Sequence, residues 1–285
     1  MKRIIVSIFA CLLLIGLSAC GNSTSSNASK KSLNQLEEAK QNGVLTIGSD
    51  GQGAPFTYID NGEWKGMDIE IFNKIAADLG IKKVEWKQID FDKLFVELNK
   101  GSINIAAEGI YVNPDRKKVI NFSNVWFKEG ESLVVSNDSS IKSLSDLKNK
   151  SVAVQKGGIF VATANKWAQE GKIGKVVVFT STNDMLLAVN TGKVDATLLD
   201  GFIGSYTLHQ SANLSLKLAP DYQSKDVGMI AVAGPKSSDT SLLDAINQEM
   251  KKLKDNGFIA QVFDKYGIDK SFMVPTGEDQ MTNIK

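Results

Sequence analysis

The hydrophobic positions along this chain fall into two series with the same rhythm. Short apolar runs, which read as buried strands, alternate with stretches whose apolar residues recur every three or four positions, which read as helices packed by one face. In the first series Val44 to Gly48 is a strand, and Ile71, Phe72, Ile75, Ala76 and Leu79 form a helical stripe closed by Gly80. Val84 to Trp86 is extended. Phe91, Leu94, Phe95 and Leu98 form a second stripe, with Asp90 placed to cap its start and Gly101 its end, and Ile103 to Ala107 returns as a strand. That β-α-β-α-β order predicts an α/β domain with a largely parallel sheet.

The second series opens with Ser143-Leu144-Ser145-Asp146, a capped short helix, and the strand Val152 to Val154. Phe160, Val161, Ala164, Trp167 and Ala168 make a stripe, Val176 to Phe179 a strand, Met185, Leu186 and Val189 a stripe ending at Gly192, and Ala196 to Leu199 a strand ending at Asp200. After a further apolar run, Val227 to Ala233, two helices built on Leu243, Ile246, Met250 and Leu253 and on Phe258, Ile259, Val262 and Phe263 are parted by Asn256-Gly257. About 250 residues beyond the N-terminal segment suffice for two domains of ordinary size.

The N-terminus breaks this rhythm. Lys2 and Arg3 precede an apolar core, Ile4 to Leu17, and then Ser18-Ala19-Cys20, the layout of a secretory signal that is too short for a stable membrane span. Gly21 to Lys31, rich in Ser, Asn and Thr, reads as a flexible polar leash. Loss of the signal leaves 31 Lys and Arg against 32 Asp and Glu. A near-neutral chain lacks the concentrated basic face that nucleic acid requires. Of the two cysteines, Cys11 leaves with the signal, so no internal disulfide is expected and stability must come from core burial. The single histidine, His209, stands outside every motif, which gives no support to a metal site or a Ser-His nucleophile, and no cofactor is expected.

The stretch that organises the chain is Glu108 to Ser123, EGIYVNPDRKKVINFS. It leaves the end of a buried strand as a Pro-containing turn whose far side carries Arg116, a planar fork of donors matched to a carboxylate. This turn, followed by Asn121-Phe122-Ser123 and Val125-Trp126-Phe127, resembles the signature of the amino-acid-binding proteins of ABC transporters, the family 3 extracellular solute receptors. Gly48-Ser49-Asp50 with Ala54-Pro55-Phe56, the segment Lys65 to Ile71, Asp195 to Asp200 and the tail Gly257 to Gly267 are similar to four further elements of that family.

The resemblance implies a two-lobed periplasmic-binding-protein-like fold of type II, with the ligand cleft between the lobes. It divides the chain into a signal peptide (1–19), a lipidated cysteine and tether (20–36), lobe one (37–130 and 227–285) and lobe two (131–226). Cys20, in a Leu-Ser-Ala-Cys sequence like a lipobox, becomes the acylated anchor at the outer face of the cell membrane. By the same resemblance Arg116 clamps an α-carboxylate and Asp200 meets the α-ammonium, although Asp200 also suits a helix N-cap. Gly109 offers backbone to the amine. Asp50 fits a ligand contact or a turn, and Phe91 a pocket wall or helix packing.

The departures bear on specificity. Tyr111 and Gly157-Gly158-Ile159 stand where family members carry carboxylate-binding hydroxyls, so Gly158 and Ile159 would act through the start of the following helix. Gly53 opens a wall that is often aromatic and that Tyr111 could fill, and a ring of Tyr111, Phe91 and Trp126 or Phe56 could surround a delocalised or alkylated cation on the ligand. Glu108 adds a carboxylate that either meets a second ligand cation or is a solvated or hinge-paired glutamate. The expected ligand is an amino acid or an ectoine-like zwitterion, delivered by a monomer to an ABC permease. The alternatives are a cyclohexadienyl-type dehydratase with Glu108 as general acid, and a ligand-sensing receptor component; the chain is read as no enzyme.

Overall fold

The computed structural model describes residues 33–210, 213–224 and 227–280. Cys20, the signal and nearly all of the expected tether lie outside the described residues, as does the His209 side chain. The chain enters through α1 (Gln35–Asn42), which opens inside the span expected as tether. A reciprocal capping box between Asn34 and Glu37 starts it, and the Gln35 N–H donates to Asp239.

The first series folds as β1 (Val44–Ser49), β2 (Gln52–Gly53), β3 (Thr57–Asp60), β4 (Glu63–Lys65), α2 (Met67–Asp78), β5 (Lys83–Gln88), α3 (Leu94–Asn99), β6 (Ile105–Ala106) and α4 (Pro114–Val119). Strand β1 pairs in parallel with β5 and β6, as the β-α-β order predicts. Asp90, expected as a cap, makes no capping bond and pairs instead with the Lys93 ammonium. The hairpin sheet β2-β3-β4 was not foreseen; its strands are too short to show an alternating pattern.

The long strand β7 (Ile120–Ser136) leads to the second series, β8 (Ser151–Gln155), α5 (Phe160–Gln169), β9 (Lys175–Phe179), α6 (Thr182–Asn190), β10 (Ala196–Asp200), α7 (Gly201–Gln210) and β11 (Leu216–Leu218). The chain returns through β12 (Val227–Pro235), α8 (Ser241–Asp255) and α9 (Phe258–Tyr266). Strand order is β5-β1-β6-β12-β7-β10-β8-β9, with β11 beside β7. Each series keeps its parallel sheet, while β7 and β12 run antiparallel through the middle. β7 belongs to both halves: its first part pairs with β12 and its last part with β10. This pair is the spine on which two lobes hang, and β12 has register irregularities between Ile230 and Ala233.

The loop before Arg116 is stitched to that spine. The Val112 N–H donates to the Met229 carbonyl (2.8 Å), and the Ala231 N–H to the Ile110 carbonyl (3.0 Å).

One core residue departs from ordinary burial chemistry. Asp68, in the first turn of α2, is buried with one carboxylate oxygen unpartnered, and burial pushes its carboxyl up to about 7. The folded state therefore binds this proton more tightly than the unfolded chain does, and stability rises as pH falls from about 7 towards 4. Asp68→Asn is expected to raise stability at pH 8 by roughly 2–4 kcal/mol. The gain should vanish near pH 4, which urea melts at the two pH values will read.

Candidate functional site

The carboxyl ends of β1, β8 and β10, together with the loop after β6, converge on one cavity of about 30 Å³, room for about two water molecules. Asp50, Phe91, Glu108, Gly109, Tyr111, Arg116, Gly158, Ile159 and Asp200, all singled out in the sequence, line it, as does Gly53. Phe56 does not. It is fully buried beneath the site, stacked between Phe127 and Phe202 (ring centroids 6.0 and 5.6 Å). Trp126 likewise packs in the core, against Phe72.

Arg116 is held by the turn that carries it. Asn113 caps α4 by accepting from the Arg116 N–H (2.8 Å), and Pro114 occupies the first turn, where its missing N–H costs nothing. The guanidinium donates to the Tyr111 carbonyl (2.9 Å) and, across to the other half, to the Gly157 carbonyl (3.1 Å). It also lies over the rings of Phe91 and Phe95, 5.4 and 5.3 Å from their centroids. Phe91 is therefore both pocket wall and packing partner. Burial lowers the guanidinium to about 10, an effect opposed by the charges of Asp200 and Glu108. It stays cationic at neutral pH.

Against this one cation stand three lining carboxylates. Glu108 is buried and accepts from the Asp50 N–H; burial first, and then the Asp50 charge, push its carboxyl well up. The solvent-facing alternative for Glu108 is thereby excluded. Asp50 is also raised by burial and accepts from Gln155 Nε2 (2.7 Å), a bond that joins the two halves. The Asp50 side chain further accepts from the Gln52 N–H (2.7 Å), so it serves the turn and the cavity at once. Asp200, the last residue of β10, is pushed up to about 7, chiefly by burial, with Arg116 pulling the other way.

Two glycines shape the site. Gly109 has φ of +73°, and a Cβ there would come within 2.8 Å of the Phe56 ring. At Gly228 a Cβ would meet the Tyr111 ring at 1.8 Å, so the absence of a side chain on β12 makes the space that the tyrosine fills. Tyr111 packs edge-on against Phe160 at 5.7 Å, whereas the side chain facing Gly53 is that of Ile203, 3.7 Å from where a Cβ would lie.

Sequence reasoning missed Gln155, Phe160, Thr182, Met185, Leu198, Leu199 and Ile203 among the lining residues. Gln155 directly follows the predicted strand Val152–Val154, so the strand-end rule that found Asp200 could have found it. The apolar ones carry no signal that separates a pocket wall from a core. Asp195 turns out to be structural: it accepts from the Ser151 N–H (2.8 Å) and hydroxyl (2.7 Å).

A family model, bacterial extracellular solute-binding proteins, family 3, matches residues 45–269. The arginine-binding extracellular protein ArtP of Bacillus subtilis (strain 168) is 26% identical over 266 residues, covering 93% of this chain and 98% of that protein. Among solved structures, the P235GK mutant of ArgBP from T. maritima is 30% identical, with a TM-score of 0.74 over 82% of this chain and 99% of that one. The ancestral amino acid-binding protein AncCDT-1, a precursor of cyclohexadienyl dehydratase, is 27% identical, with a TM-score of 0.71 over 82% of this chain and 99% of that one.

Proposed function

The chain belongs to the bacterial extracellular solute-binding proteins of family 3, and on that footing we propose that it captures an amino acid with a second positive charge and delivers it to an ABC permease. The observation that carries this reading is the charge count of the cavity: one buried guanidinium, Arg116, against Asp50, Glu108 and Asp200. A ligand whose carboxylate meets Arg116 and whose α-ammonium meets Asp200 leaves two acids to be neutralised. A cationic side chain directed at Asp50 and Glu108 offsets one of those two charges and is shared between them. Relatives named for arginine agree with this assignment.

In this reading two of the five guanidinium N–H groups hold the Tyr111 and Gly157 carbonyls, and the remaining ones face the ligand carboxylate. The missing hydroxyls at Tyr111 and Ile159 are compensated by backbone N–H groups at the start of α5. The protein works as a monomer, tethered through acylated Cys20 at the outer face of the cell membrane, where two or more acyl chains hold it. It performs no catalysis. Glu108, the general acid of a dehydratase reading, is engaged by the Asp50 backbone and stands beside a second carboxylate, an arrangement suited to gripping a cation.

A thermal-shift screen of the purified protein against the twenty L-amino acids tests the proposal. L-arginine or L-lysine at a hundred times its dissociation constant is expected to stabilise the fold by about 2.7 kcal/mol, with neutral and acidic amino acids well behind. A stronger response to L-glutamate than to either would reject it.

A further inference from the structure

Three consecutive residues at the end of β8 carry bonds from the second series to the first. Gln155 Nε2 donates to Asp50 Oδ2 (2.7 Å), the Lys156 ammonium pairs with Asp92 Oδ2 (2.8 Å), and the Gly157 carbonyl accepts from the Arg116 guanidinium (3.1 Å). The segment is fixed to its own half, because the Lys156 N–H donates to the Phe179 carbonyl of β9 (2.8 Å) and the Gly158 N–H to the Gln155 carbonyl (3.0 Å). On the facing half, Asp92 lies in the single helical turn Phe91–Lys93, whose Phe91 ring lies under the guanidinium. Gln155 lines the cavity, whereas Lys156, Gly157 and Asp92 stand outside it.

The closest approach is at Gly157. Its φ is +78°, and a Cβ there would stand 2.9 Å from the Asp92 Cα and 3.1 Å from the Asp92 Cβ. That is well inside the roughly 3.5–4.0 Å at which carbon atoms pack, and a backbone atom cannot swing aside as the tip of a long side chain can. Bare backbone at 157 therefore lets the halves meet, and Lys156 beside it then reaches Asp92. We propose that Gln155-Lys156-Gly157 is a latch: its seating on the Phe91–Lys93 turn holds the two halves over a captured solute and sets how long that solute stays. The inference rests on the reading that the solute is captured between the halves. The latch acts apart from the solute's own contacts, since the ion pair and the close approach at Asp92 join protein groups alone. Loosened seating leaves Arg116 and Asp50 on their own half, yet lets the solute leave sooner.

Gly157→Ala tests this, with Gly171→Ala as its control. Gly171 has a φ of +66°, so alanine meets the same kind of backbone strain there, but a Cβ at that position has nothing within 4 Å. The first arm needs no ligand. A water-soluble carbodiimide joins a carboxylate to an amine in ion-pair contact as an amide, and mass spectrometry of the digested protein measures the Asp92–Lys156 crosslink. The parent and Gly171→Ala are expected to form it, and Gly157→Ala to form about fivefold less or lower still. Equal yields, or no crosslink in the parent, would overturn the proposal. The second arm follows L-arginine dissociation by stopped-flow fluorescence: it is expected to be about tenfold faster in Gly157→Ala than in Gly171→Ala, and equal rates would refute the latch. Should Gly157→Ala not fold, Lys156→Glu changes a side chain that is 57% exposed and sets like charges face to face. Dissociation should then quicken about threefold, an effect that fades at about 0.5 M salt, and an unchanged rate would count against the latch. If L-arginine fails to bind the parent, the reading of the ligand is what falls; the crosslink yields decide the latch in either case.

Discussion

Arg116→Ala is expected to lower the affinity for L-arginine by about 100- to 1,000-fold, the loss that follows when one partner of a buried, hydrogen-bonded charge pair is removed. Arg116 is the sole cation among the cavity's lining residues, and three carboxylates remain there once it is gone. The ligand carboxylate would then enter a site of uniform negative sign. Arg116→Lys keeps the charge but loses the fork, the bond to one of the two carbonyls and the flat contact with Phe91 and Phe95. It should recover only part of the affinity. Isothermal calorimetry reads both variants. An Arg116→Ala protein that binds L-arginine as the parent does would remove the carboxylate clamp from the account.

The largest stability loss is expected from Lys254→Met. The Lys254 ammonium, 3% exposed, reaches from α8 to the carbonyls of Val125 (3.1 Å) and Val274 (2.8 Å) and to Asp279 Oδ2 (3.1 Å). The Val125 N–H returns a bond to the Asp279 carbonyl (2.7 Å). One cation thus fastens the C-terminal segment to β7. Methionine matches the stem but leaves a buried carboxylate and two carbonyls without their donor, at a cost of about 3–5 kcal/mol. In a chain of this size that is a fall of roughly 6–20 °C in Tm. Adding Asp279→Leu should restore part of the loss, because the stranded charge goes with it. A single-variant loss below about 1 kcal/mol in urea unfolding would show that the pair is not what secures the tail.

The alternation of strands and helices was readable because each series buries both faces of a parallel sheet, which writes near-continuous apolar runs such as Ile103 to Ala107 into the chain. Helix ends at Gly80, Gly101 and Gly192 were equally plain, since all three adopt the positive φ that favours glycine. The two-residue strand Gln52–Gly53 and the three-residue strand Glu63–Lys65 left no pattern, being too short for period two to show. β7 was not read as a strand at all, as Lys128, Glu129 and Glu131 interrupt its apolar run. Inside the strand these carboxylates are hydrogen-bonded, Glu129 accepting from the Phe202 N–H and Glu131 from the Tyr222 hydroxyl. Arg116 and Asp200 were found through resemblance to a family, whereas Phe56 was misplaced into the cavity because an aromatic beside a turn reads the same whether it lines a pocket or props one from below.

The stitching of residues 110–112 to β12 has a mechanical consequence. Two backbone bonds tie the base of the arginine turn to the strand where the register slips between Ile230 and Ala233, so any flexing of that joint is transmitted straight into the aim of the guanidinium. Arg116 and the central strand pair are thus one mechanical unit: a bend at that joint would carry the guanidinium with it.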